Sequence, residues 1–99
     1  MVRNHMVRHV VMWKLKDTGK AEELRKIILD MKGKVPSLID VEYGVNFAEG
    51  DAACDLVLIS THESRAELDI YQDDPVHGEV KKILGAATAS RSVADFEVD

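Results

Sequence analysis

Met6-Val7-Arg8-His9-Val10-Val11-Met12-Trp13-Lys14-Leu15-Lys16 is the stretch from which the rest of the chain can be placed. Taken alternately, Val7, His9, Val11, Trp13 and Leu15 share one face, and Met6, Arg8, Val10, Met12 and Lys14 share the other. A strand with one wet face alternates apolar with polar. Here the middle, Val10 to Trp13, is apolar on both sides. The pattern predicts a central strand over 6–16, covered on both faces.

Upstream, residues 1–5 read as a loose leader, with Met6 opening a single domain over 6–99. Downstream, Asp17-Thr18-Gly19 is a turn. Leu24, Ile27, Ile28, Met31 and Val35 follow at helical spacing, predicting a helix over about Thr18 to Lys32 that Gly33 and Pro36 close. A second strand runs from Leu38 or Ile39 to Phe47, and a third from about Cys54 to His62. The third is again apolar on both faces at its centre, Leu56 to Ile59. Ser64 and Glu67 form a capping box for a second helix. Asp74-Pro75 interrupts that helix, because proline lacks the N–H that would bond the Tyr71 carbonyl and pushes Asp74 out of helical dihedrals. Pro75 at the first position and Asp74 as the cap restart it, and Gly85 ends it. Ala89 to Val98 is a fourth strand, with Ala94, Phe96 and Val98 on one side and Val93, Asp95 and Glu97 on the other.

The order β-α-β-β-α-β predicts an α+β, ferredoxin-like arrangement: a four-stranded antiparallel sheet with its helices on one face. Helices on one side leave the second apolar sheet face bare, which proteins in water rarely tolerate. A homodimer, sheet against sheet, forming a dimeric α/β barrel, resolves this.

Composition narrows the partners. The 99 residues are 45% hydrophobic and 31% charged with a formal net charge of -5, and Lys and Arg are scattered among acids. This argues against nucleic-acid binding. No apolar run reaches the length of a bilayer and no secretory signal stands at the start, so a cytoplasmic protein with no membrane partner is expected. A single cysteine, Cys54, agrees and reads as a small buried filler.

The chemistry-bearing residues are His9 on the first strand and Tyr71 and His77 around the helix break. In an unbroken helix Tyr71 and His77 would lie about 120° apart around the axis. The restart changes that phase and lets both turn toward one pocket. An imidazole there can remove a proton beside a carbonyl while a phenol or second imidazole steadies the enolate. A structural role competes for each: a core histidine for His9, a first-turn bond to Asp73 or a backbone carbonyl for His77, and for Tyr71 packing with one partner for its hydroxyl. His5 and His9 are too far apart on a strand to share a metal, at roughly 13 Å. Asp73 and Asp74 are better explained by capping. No phosphate loop or Gly-x-Ser-x-Gly occurs, so neither metal nor cofactor is expected.

The chain resembles the stress-responsive dimeric α/β-barrel (Dabb) domain family. The resemblance is carried by Val7 to Asp17, Val41-Glu42-Tyr43-Gly44-Val45-Asn46, Asp55-Leu56-Val57-Leu58, Glu63-Ser64, Tyr71, Pro75-Val76-His77 and Val93-Ala94-Asp95-Phe96. It implies a homodimer whose paired sheets form a barrel, with a small apolar pocket between sheet and helices. It also implies kinship with a plant polyketide cyclase that works by aldol chemistry without a cofactor. The positions matched to that enzyme's motif are His9, Tyr71 and His77. Its third-strand histidine and first-helix tyrosine correspond to Leu56 and Ile28 here, which makes the implied pocket more apolar. The expectation is a pocket for a small apolar or carbonyl ligand. The alternatives are a cofactor-independent cyclase or isomerase, with His77 as base and Tyr71 or His9 as oxyanion donor, and a non-catalytic structural dimer.

Overall fold

A computed structural model describes residues 6–98; the leader expected over residues 1–5 lies outside the described residues. The strands are β1 (Met6–Leu15), β2 (Asp40–Val45), β3 (Leu56–His62) and β4 (Thr88–Val98), and the helices α1 (Ala21–Leu29), α2 (Arg65–Asp73) and α3 (Pro75–Ala87). The sheet is antiparallel throughout, in the order β2-β3-β1-β4. The expected α+β, ferredoxin-like topology is present, with β1 central and the broken helix resolved into two.

The helices lie on one face. Val7, His9, Val11, Trp13 and Leu15 of β1 and Leu56, Leu58, Ser60 and His62 of β3 are buried beneath them. Leu24 and Ile28 of α1, Met31 and Val35 of the turn after it, and Tyr71, Val80 and Leu84 of α2 and α3 complete the core. The opposite sheet face is apolar and open. Val10 pairs with Ile59 and Ala94, Met12 pairs with Val57, and Phe96 stands opposite Arg8; Met12 and Phe96 are 40% and 47% exposed. Gly44 belongs to this face: a Cβ there would lie 3.0 Å from Val57 Cγ1, so the strands approach closely.

Several boundaries differ from expectation, each for a local reason. A 3-10 turn over Thr18–Lys20 precedes α1, with Asp17 accepting from the Gly19 N–H, so the regular helix begins at Ala21. The α-helix gives way to turns after Leu29, with Gly33 at φ 87 in the left-handed region that favours glycine. β2 ends at Val45, and Phe47 is 97% exposed outside it. Cys54 is half-buried rather than buried, and precedes β3. Ser64 Oγ accepts from the Glu67 N–H; the reciprocal half of the capping box is not made among the described residues. Gly85 does not end α3. Its φ is not positive, and the helix runs on to Ala87. There Thr88 turns extended, its Oγ1 donates to the Leu84 carbonyl, and the Ala87 carbonyl accepts from the Lys16 N–H. With the Leu84 and Ala87 carbonyls occupied in this way, the helix ends without a glycine cap.

Candidate functional site

The site is built where α2 breaks. Asp74, with extended dihedrals, closes α2 and opens α3; its carboxylate accepts from the N–H groups of Val76 and His77. Pro75 has no N–H to give the Tyr71 carbonyl. That carbonyl instead accepts from the Asp74 N–H at 3.2 Å and from His77 Nδ1 at 2.9 Å. A carbonyl only accepts, so Nδ1 of His77 bears the proton and Nε2 of the neutral ring bears the lone pair. The two rings stack, with centroids 3.8 Å apart and planes at 21°.

His9 reaches the same place from β1. Its ring stands edge-on to Tyr71 at 6.0 Å. Its Nδ1 meets Asp95 Oδ1 at 2.5 Å, a pairing set by the register that puts His9 opposite Asp95 on β4. A third imidazole, His62 of β3, lies 4.5 Å from Tyr71 on another side. Its Nδ1 donates to the Ser37 carbonyl, so its Nε2 accepts the Ser60 hydroxyl at 2.8 Å. Tyr71 is thus fully buried among three histidines.

The structure brings His9, Tyr71 and His77 together on one cavity of about 160 Å³, walled by Val11, Trp13, Leu58, Val80 and Leu84. Such a volume is benzene-sized, about that of an engineered apolar cavity known to take benzene. Leu56 and Ile28 are fully buried in the core and do not line it. A wider groove between Glu22 and Asp30 on α1 is shallow and open, with none of these groups.

Burial sets the electrostatics. It pushes the His77 pKa down to about 4 against the opposing bond to the Tyr71 carbonyl, with Lys81 and His9 pushing the same way as burial. His62 is lowered for the same main reason, partly countered by the Ser37 carbonyl. Both rings are neutral at pH 7. Burial raises the Tyr71 phenol to about 12. The nearby Ser60 hydroxyl pulls weakly the other way, yet it falls outside hydrogen-bonding geometry, and Tyr71 Oη has no partner among the described residues. The expected single partner for that hydroxyl is therefore absent, and a neutral donor is left buried without an acceptor. His77, by contrast, makes the backbone bond that a structural role predicts.

Three participants escape a reading of the sequence. Ser60 and His62 fall on the same alternating face as Leu56 and Leu58, and that signal places them inside without saying what they bond. Asp95 becomes visible only with the β1–β4 register. Among the described residues no three His, Cys, Asp or Glu side chains converge as a metal requires.

The chain belongs to the stress responsive A/B barrel domain family, whose sequence model matches residues 7–98. Among solved structures it is similar to a dimeric ferredoxin-like protein of unknown function from Bacteroides fragilis, at 25% identity and TM-score 0.82 over 94% of this chain and 96% of that one. A dimeric ferredoxin-like protein of unknown function from Thermobifida fusca matches at 18% identity and TM-score 0.83, over 99% and 95% of the two chains. The hydroxynitrile lyase of Passiflora edulis matches at 15% identity and TM-score 0.85, over 98% and 96%. These last two likenesses speak for the fold alone. No curated protein matches.

Proposed function

We propose that this stress responsive A/B barrel chain, one domain over residues 6–99, acts in the cytoplasm as a homodimer joined through its open sheet face, and holds a small apolar ligand in the cavity beneath α3. The observation that carries the ligand reading is the benzene-sized cavity on which His9, Tyr71 and His77 meet between apolar walls. The dimer reading rests on the open face around Met12, Ile59 and Phe96 and on the dimeric state of the Bacteroides and Thermobifida relatives.

A second reading, a cofactor-independent enzyme acting beside a carbonyl, is favoured by the His77 tautomer. Nε2, with its lone pair, would take a proton from the carbon next to a carbonyl. The C–H electrons then pass into an enolate whose oxygen accepts the Tyr71 hydroxyl. A pKa of about 4 makes His77 a weak base at neutral pH, so binding is the leading reading.

Both parts can be tested. Sedimentation at micromolar concentration is expected to give a dimer, and Met12→Glu a monomer of unchanged fold. Phenylacetamide is expected to shift the NMR resonances of Tyr71, His77 and Trp13. A monomeric parent removes the dimer reading; absence of shifts at these residues removes the ligand reading.

A further inference from the structure

We infer that the ligand is an acid: an apolar body with one carboxylate, held at the mouth of the cavity by Arg91. This rests on the cavity being a ligand site. Arg91 lies on β4 directly opposite Trp13, on the helix side of the sheet, and lines the same cavity as His9, Tyr71 and His77. The titratable groups on that lining are these three with Lys81 and Arg91, and no Asp or Glu is among them. Lys81 is occupied, its Nζ donating to the Gln72 carbonyl at 2.7 Å. Asp95, the nearest acid along β4 on this face, is held by His9. Arg91 has no carboxylate within ion-pair distance among the described residues, whereas Arg65, Lys32 and Lys34 each have one.

In a chain of net charge -5, a cavity mouth with two cations and no acid is a local reversal of sign. It draws in an anion that the rest of the surface repels. A guanidinium presents paired N–H groups that match a carboxylate bidentately, which an ammonium cannot. The strand geometry also orders the ligand. Trp13, opposite Arg91, and His9, opposite Asp95, are four residues apart on β1, about 13 Å of strand. The carboxylate is therefore anchored at one end of the cavity and the body runs toward Tyr71 and His77 at the other. An aryl or short-chain monocarboxylate of benzene-like bulk fits, and a dianion or phosphate does not match one unpaired arginine over apolar walls.

The test uses phenylacetate and its neutral isostere phenylacetamide, titrated into the full chain by calorimetry and NMR. Phenylacetate is expected to bind about tenfold more tightly than the amide, as one charge-assisted pair gives, and to weaken with added salt. Arg91→Gln, at an exposed edge position, is expected to abolish that preference, bringing the acid's affinity down to that of the amide; Arg91→Lys restores part of it. If the amide binds as well as the acid and Arg91→Gln changes neither, the acid inference fails while the cavity remains a ligand site. If neither compound shifts Tyr71 or His77, both the inference and the ligand reading fall.

Discussion

Acid should unfold this protein through His77 before its carboxylates titrate. The ring is buried, its Nδ1–H is committed to the Tyr71 carbonyl, and its pKa is held near 4 rather than at the ordinary 6.5. In the unfolded chain the same ring protonates freely near 6.5. The stability that neutral His77 confers is therefore complete above pH 6.5 and is lost as pH falls toward 4. A drop from 6.5 to about 4 corresponds to at most about 3 kcal/mol. The cavity beside the ring admits water and screens part of this, leaving about 2 kcal/mol. His62 is shifted in the same direction and adds to the loss. Urea unfolding at one fixed protein concentration, at pH 7.5 and 4.5, measures the effect; His77→Asn removes the titrating group. The parent is expected to lose about 2 kcal/mol more than the variant between the two pH values. Carboxylate effects, such as that of Asp40 beside Lys32, are common to both proteins and cancel. Parallel losses would refute the assignment of the acid sensitivity to this ring.

Removing the Tyr71 hydroxyl should not weaken the empty protein. Tyr71→Phe is expected to be neutral or to stabilise by about 1 kcal/mol in urea unfolding, because an unpaired buried donor disappears; a loss above that size means the hydroxyl has a partner. Gly85→Ala is expected to stabilise by about 0.5–1 kcal/mol, since Gly85 is helical, has a permissible φ, and nothing lies within 4 Å of the added methyl. Thermal unfolding reads this directly, and a lowered midpoint contradicts it.

The parts of this fold that were legible in the sequence are those set by local periodicity. The double apolarity of Val10 to Trp13 identified the central strand, and the Asp74-Pro75 step located the helix break to the residue. What was illegible depends on partners distant in the chain. Nothing near Gly85 announces that Lys16 will take the Ala87 carbonyl at the end of α3, with the helix running past a glycine. His9, Tyr71 and His77 were recognisable as chemistry, and the break made their meeting plausible. Their neighbours Asp95, Ser60 and His62 join them through strand register, an outcome of packing between segments that no single window contains. Arg91 was invisible as a ligand anchor for the same reason: its place opposite Trp13 is a matter of pairing.

The missing N–H of Pro75 has a consequence for how this pocket can vary over time. In many sites a histidine's tautomer depends on a second side chain, and drift at that partner scrambles the ring. Here the proton on His77 is pinned by a main-chain oxygen that the proline deprives of its regular helical bond. Every residue keeps its carbonyl whatever its side chain becomes. The walls of the cavity can therefore be rewritten for ligands of new shape while the imidazole stays in the same protonation pattern. A single ring closure in the backbone separates what the pocket recognises from what it can do.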